Sequence, residues 1–543
     1  MPTTAMTRRA FLARGTAMVG ASAALRSLAT AGPEGGRKPN FLLILADDMG
    51  FSDAGCYGGE IETPSLDGLA ANGLRFSQFY STGRCWPSRA SLLTGFYAQQ
   101  VNRDGVQGMA TAGRGGKGRR PPWAPLLGER LRPLGYRSYH SGKWHLDGAA
   151  LQNGFDASYI LGDHNRFFYP TKHSENDKPL PPVARDSGYY APTAMADHAI
   201  RCLQSHAEQH AERPFFQYLA FTSPHFPLHA LQDDIDRYRS KYRKGWDSIR
   251  RTRRKRLRRS GIVDCELSPM DQDVIPGHNL PEADLQARIG PGEIGWAVPW
   301  TRLTKAQKQF QATKMAIHAA MIHRMDREIG RVVDQVKAMG AYDNTVIMFA
   351  SDNGASAEQI IRGDGHDTTA PPGSGATFLC LGPGWSTAAN TPFRLHKIWV
   401  HEGGISSPLI VHWPAGITDR GGLRHDPGHF IDVPPTLLEL AGGTWSDTYG
   451  GETGPPVPGR SLVPAFAPGG SVHHDFLFWS HAGNHAFRVG DWKLVSRGEN
   501  DWELYDLRTD RAESHDKAAE QPERVAELSR LWRERAQEYL SAG

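Results

Sequence analysis

The sequence predicts an α/β fold: a large, mostly parallel central sheet flanked by helices, followed by a smaller C-terminal α+β domain on a short antiparallel sheet. Three observations carry this expectation. Short apolar runs of strand length stop abruptly at polar clusters, helical patterns lie between those runs, and the tail changes to short, turn-separated aromatic segments.

The run at 41–46 ends in Asp47-Asp48, and the run at 136–140 leads into Gly142-Lys143-Trp144-His145. The run at 215–221 ends in Ser223-Pro224-His225, and that at 345–350 in Asp352-Asn353-Gly354. Between the last two, Ile322, Met325, Ile329, Val332, Val336 and Met339 recur at helical steps in a helix predicted over 305–339, with Gly340 as its stop. Ligands of open parallel sheets bind beyond the carboxyl ends of the strands, so these four polar clusters should meet in one crevice. From Ser471 onward the runs at 476–479, 486–489, 492–495 and 502–505 read as the antiparallel sheet, closed by an amphipathic helix at 525–540. The expected layout is a catalytic domain over 36–445 with an insertion at 231–300, a Gly/Pro-rich connector at 446–470 and a C-terminal subdomain at 471–543.

Composition bounds the function. A net charge of +4 over 543 residues gives no reason to expect a nucleic-acid partner. Five scattered cysteines, with no CxxC pair, build neither a disulfide framework nor a cysteine zinc site. At the N-terminus Arg8-Arg9 stands before an apolar stretch that ends in Ala29-Thr30-Ala31, the layout of a twin-arginine signal peptide over 1–31. The expectation is therefore export, to the periplasm or beyond, with the twin-arginine machinery as a partner. No later segment reaches the ~18 apolar residues of a spanning helix, so no membrane span is expected.

Asp47, Asp48, Asp352 and Asn353 offer hard oxygen ligands of the kind calcium or magnesium takes, although Asp-Asp also caps helices and Asp-Asn-Gly also makes turns. The deciding motif is Cys85-Trp86-Pro87-Ser88-Arg89, followed by Leu92-Leu93-Thr94-Gly95. In it the chain resembles the type I, formylglycine-dependent sulfatases of the alkaline-phosphatase superfamily, and bacterial arylsulfatases most closely. The resemblance runs from about residue 40 to about 516.

That resemblance implies an enzyme cleaving sulfate monoesters, aryl or carbohydrate, with Cys85 oxidised to formylglycine by a formylglycine-generating enzyme. It implies one Ca2+ held by Asp47, Asp48, Asp352, Asn353 and the residue-85 oxygen; the residue types alone do not separate calcium from magnesium. Lys143 and His145 match the family's sulfate-binding lysine and formylglycine-contacting histidine. His225 matches the leaving-group acid, Lys397 the second sulfate-binding lysine, and Arg89 a brace for the nucleophile. Asp147 departs from the glycine of many relatives, and His229 reads as a surface histidine. Two other functions stay open at this point: phosphonate or phosphate monoester hydrolysis on the same site, and non-catalytic binding of sulfated glycans. The run 250–259, eight basic residues in ten, reads as a solvated helix near Asp233, Asp234 and Asp236 rather than a glycan-binding strip.

Overall fold

The computed structural model describes residues 37–105, 118–498 and 500–541. The expected signal peptide lies outside the described residues. From Lys38 onward the chain forms one compact unit.

The main sheet contains, in chain order, β1 (Asn40–Ala46), β2 (Leu74–Tyr80), β3 (Arg137–Gly142), β4 (Ala157–Leu161), β5 (His173–Glu175), β6 (Lys178–Pro179), β7 (Phe215–Ala220), β8 (Thr345–Ser351), β9 (Ser406–His412), β10 (Gly422–Arg424) and β11 (Gly428–His429). They are arranged β10-β2-β9-β8-β1-β7-β3-β4-β5-β6, with β11 also on β2. The four strands predicted from the apolar runs are the adjacent centre, β8-β1-β7-β3, and pair in parallel throughout. Both faces of this centre are covered. Leu42 and Ile44 pack into one core with Met321, Met325 and Ile329 of the long helix. Phe41, Leu43 and Leu45 pack into another with Leu92, Leu93 and Leu437. A strand buried on both sides favours apolar residues, so β1 and β8 read as near-continuous apolar runs, whereas β7 buries Gln217 and β3 buries Ser138, His140 and Ser141.

Away from this centre the pairing is mixed. β9 runs antiparallel to β8 and β2, and β5 and β6 form an antiparallel edge. β9 escapes sequence reading because Pro408 lies inside it, and proline usually marks an edge strand. Here Pro408 falls opposite the register break of β2 between Phe76 and Phe79. The Tyr57 hydroxyl fills the interrupted ladder, standing 2.9 Å from Phe76 O and 2.7 Å from Leu409 O and accepting the Leu409 N–H at 3.1 Å.

The long helix spans Lys305–Ala338, with Thr304 as a side-chain cap on Gln307 N and Gly340 in the left-handed region just past its end. The basic run forms the helix Trp246–Arg259, but it is not simply solvated. Arg250 and Arg253 are buried, and Arg253 pairs with Asp53 and Glu60 at 2.7 Å each. The acids expected near it are engaged elsewhere: Asp234 holds Arg324, and Asp236 holds Arg239.

Within 446–470, β12 (Thr448–Tyr449) and β13 (Glu452–Thr453) make a small ribbon, and Leu462, Ala465 and Phe466 join the main core. Beyond it, β14 (Leu477–His481), β15 (Asn484–Val489), β16 (Trp492–Ser496) and β17 (Glu503–Asp506) form the antiparallel meander. The helix Pro522–Ser541 covers one face through Leu528 and Tyr539. The other face packs Trp479, Val495 and Tyr505 onto Tyr80, Val400 and Ile405. Glu402 seals this junction, buried against Lys493 at 3.0 Å and Arg511 at 2.9 Å. No described helix is long and apolar enough to cross a membrane.

Candidate active site

The register of the central strands places the polar clusters side by side. Ala46 pairs with Ser351, and Leu45 and Gly142 both pair with Ala220, so Asp47, Asp352 and Lys143 leave the sheet at one level. Gly142 has φ of 122°, and a Cβ there would lie 1.9 Å from Ala220 O. Only glycine lets β3 turn out there while Lys143 N still donates to Ala220 O at 2.8 Å. Gly354 meets a similar limit, since its Cβ would stand 1.8 Å from Gly403 O.

The helix Cys85–Thr94 begins at Cys85, which is a free thiol and 3% exposed. Pro87 falls in the first turn, where its missing N–H costs no helical bond. Residue 85 thus sits at the positive end of a buried helix, a position suited to an anion. Burial pushes the unmodified thiol above its ordinary pKa, and Lys143 and Lys397 oppose that shift. One turn on, Arg89 donates from Nε and Nη2 to Asp352 Oδ2 at 3.0 and 2.8 Å, and from Nη1 to Lys143 O at 2.9 Å.

Around these groups the charges interlock. Lys143 Nζ donates to Asp47 Oδ2 at 2.5 Å, and Lys397 Nζ donates to Asp48 Oδ2 at 2.9 Å. Asn353 Nδ2 donates to Asp48 Oδ1 at 2.6 Å. Asp48 itself has φ of 64°, a strained value for a non-glycine residue of the kind that gathers at functional sites. Burial works against ionisation of Asp47, but Lys143, His225 and Arg89 together hold it well below the usual carboxylate range. Asp352 shifts upward, because burial and the facing Asp47 both oppose its charge.

The histidines fall on either side. His225 donates from Nδ1 to Phe226 O at 2.5 Å, which leaves Nε2 3.7 Å from Asp48 Oδ2. Burial and then Lys397 lower its pKa to about 4. His145 is half-buried at φ of 56°, with Nδ1 unpartnered among the described residues and its ring 5.6 Å from Trp86. Asp147 accounts for its own departure from glycine: it takes Arg120 at 2.9 Å and Arg103 at 3.6 Å, and Arg103 also bonds His145 O. His229 is a correction. It is buried, with Nε2 on Thr377 O at 2.7 Å, and is not a surface residue.

All the residues picked from the sequence, Asp47, Asp48, Cys85, Arg89, Lys143, His145, His225, Asp352, Asn353 and Lys397, therefore meet around one crevice. Sequence reading missed Glu358, which takes Lys397 at 3.0 Å, and His164, whose ring is 5.4 Å from His145. Neither belongs to a local motif; only their proximity in space brings them in. The site also fits a hard divalent cation. Asp47 Oδ1 and Asn353 Oδ1 are buried oxygens without a hydrogen-bond partner, and ligand atoms of Asp47, Asp48 and His225 lie within 4.8 Å of one another.

Fold and site together define an α/β protein whose charge-dense crevice lies at the carboxyl ends of a mainly parallel sheet. The sulfatase family profile matches residues 39–443, and the chain belongs to that family. An uncharacterized sulfatase of Schizosaccharomyces pombe is 32% identical over 542 residues, covering 91% of this chain and 93% of its own. An arylsulfatase of Klebsiella aerogenes is 31% identical over 438 residues, 75% of this chain and 87% of its own. Among solved structures, Ps i-CgsB in complex with k-i-k-neocarrahexaose shares the fold with a TM-score of 0.65 at 23% identity, covering 92% of this chain and 93% of that one. The protein is a sulfatase, an enzyme of sulfate ester hydrolysis.

Proposed function

We propose that this sulfatase cleaves aryl or carbohydrate sulfate monoesters with a formylglycine at residue 85 and one Ca2+. The observation that carries the reading is Cys85 at the first position of a buried helix, facing Lys143, Lys397 and an oxygen-rich ligand set. Oxidised and hydrated, residue 85 would supply two hydroxyls on one carbon, one to attack sulfur and one to expel sulfate by C–O cleavage. Asp47, Asp48, Asp352 and Asn353 would hold the cation, which supplies Lewis-acid stabilisation of charge on the sulfuryl oxygens.

The chain's own residues do the rest. Lys143 and Lys397 bind sulfate oxygens, each already oriented by an aspartate. Arg89 fixes Asp352 and the Lys143 backbone, so the nucleophile and the sulfate site share one frame. His145, with a free Nδ1, takes the proton whose loss lets the covalent ester collapse. His225 has Nδ1–H committed to Phe226 O, so Nε2 is the nitrogen that faces the site and, once protonated, hands its proton to the leaving oxygen.

The reading includes two partners: a formylglycine-generating enzyme that recognises the Cys85–Arg89 motif, and the twin-arginine machinery that recognises Arg8-Arg9. Mass spectrometry of the peptide containing residue 85 tests the first. The aldehyde should be present in active enzyme, and Cys85→Ala should abolish sulfate release. Active enzyme that carries only the thiol would refute the mechanism. Replacing Arg8-Arg9 by Lys-Lys should retain the protein inside the cell, and unchanged export would refute the route. Phosphonate esters should be poorer substrates than sulfate esters by kcat/KM.

A further inference from the structure

Glu358 lies six residues past Asp352 and is only 1% exposed, yet its carboxylate has four partners from four parts of the chain. Oε2 takes Lys397 Nζ at 3.0 Å and Ser356 Oγ at 3.1 Å. Oε1 takes Arg84 Nη2 at 3.2 Å and His278 Nε2 at 2.8 Å. Arg84 directly precedes Cys85 and stacks on Trp86 at 4.7 Å, and His278 reaches in from the 231–300 insertion, its side chain 44% exposed.

The geometry limits where the Lys397 ammonium can go. Its three N–H groups have Asp48 at 2.9 Å and Glu358 at 3.0 Å, which leaves one for a substrate oxygen. Arg84 and His278 occupy the other oxygen of Glu358, so the carboxylate cannot rotate away from the lysine. Two cations, Lys397 and Arg84, also share this one anion, and without it they would repel each other in a buried site. Burial opposes the charge on Glu358, but Lys397, His278 and Arg84 together outweigh it and hold the group well below its ordinary pKa.

We propose that Glu358 is the positioning residue of the sulfate subsite: it holds Lys397 so that its remaining N–H points at sulfate. This rests on the role given to Lys397 above. The experiment compares kcat, KM and the inhibition constant of inorganic sulfate for wild type, Glu358→Ala, Glu358→Gln, Lys397→Ala and the Glu358→Ala/Lys397→Ala double variant, with thermal melts to check folding. Glu358→Ala should raise KM and the sulfate inhibition constant together by about tenfold, the scale of one charge-assisted hydrogen bond. Glu358→Gln should recover part of that loss, because its amide oxygen still accepts from Lys397 while its NH2 group faces the Arg84 guanidinium. In the Lys397→Ala background, removing Glu358 should cost no more than about twofold further. Full multiplication of the two losses, or a Gln variant as poor as Ala, would overturn the positioning role while leaving Lys397 in place. A harmless Lys397→Ala would overturn the assignment of Lys397 itself, and the Glu358 proposal with it.

Discussion

Arg89 directs two N–H groups at a single oxygen of Asp352, Oδ2, at 3.0 and 2.8 Å, with both side chains fully buried. Burial works against the guanidinium charge, but Asp352 and the other groups around it, Tyr218 and Asp47 among them, together hold Arg89 above its ordinary range. A buried pair of this kind fixes geometry more than it adds stability, and removing one partner strands the other. Arg89→Ala should lower unfolding stability by about 3–5 kcal/mol in urea titrations. Arg89→Lys keeps the charge but cannot reach Asp352 and Lys143 O together, so kcat/KM should fall about a hundredfold. Near-normal kinetics in the lysine variant would show that the fork geometry is not used.

The unpartnered oxygens of Asp47 and Asn353 lead to a second expectation, about the cation. Chelation should lower both activity and the melting temperature, and Ca2+ should restore both better than Mg2+ does. Binding linkage predicts a gain of about 2.7 kcal/mol at a hundred times Kd, so Tm should climb with added Ca2+. A chelated protein that melts at the same temperature as the untreated one would remove the metal from these residues.

His225 gives a prediction graded by substrate. An aryl oxide leaves without much help, whereas a sugar or alkyl alkoxide needs a proton. His225→Gln should therefore cost little with a nitrophenyl-type sulfate and about 10²–10⁴-fold with an alkyl or sugar sulfate. Equal losses across leaving groups of different acidity would mean that His225 does not act as the acid.

Much of the fold and site is legible in the amino-acid sequence, and the reasons differ by element. The centre of the sheet can be read because strands covered on both faces are mostly apolar, β1 and β8 most of all, and the site because its residues follow those strands directly. β9 is hidden by Pro408, which is tolerated only because β2 breaks register opposite it and Tyr57 supplies the missing contacts. The basic run reads as wholly solvated because charge composition does not reveal which residues of a helix face inward; Arg250 and Arg253 do. Glu358 and His164 give no signal at all. Apart from Ser356 beside Glu358, their partners are distant in the chain, Arg84 274 residues and His278 80 residues from Glu358, and no local spacing encodes such contacts.

The inward-facing Arg253 supplies the last prediction, one with a pH signature. Its guanidinium joins Asp53 and Glu60 at 2.7 Å, while Asp53 also takes His318 at 3.1 Å and the Gly50 N–H at 3.0 Å, just behind the Asp47-Asp48 turn. Burial pushes the Asp53 pKa up, but Arg253 and His318 win, and it falls from the ordinary 3.8 to about 2. A carboxylate with a depressed folded pKa stabilises the fold above its unfolded value, and that contribution disappears as pH falls through the folded one. Asp53 should thus contribute about 2 kcal/mol at neutral pH that is lost between pH ~4 and ~2. Arg253→Ala should cost about 3–5 kcal/mol at pH 7 and flatten that part of the acid limb. Alanine at the exposed Arg251 or Lys255 should stay within about 0.5 kcal/mol. Urea midpoints at pH 7, 4 and 3 read all of this, and parallel acid limbs for wild type and Arg253→Ala would show that Arg253 is not what holds Asp53 ionised.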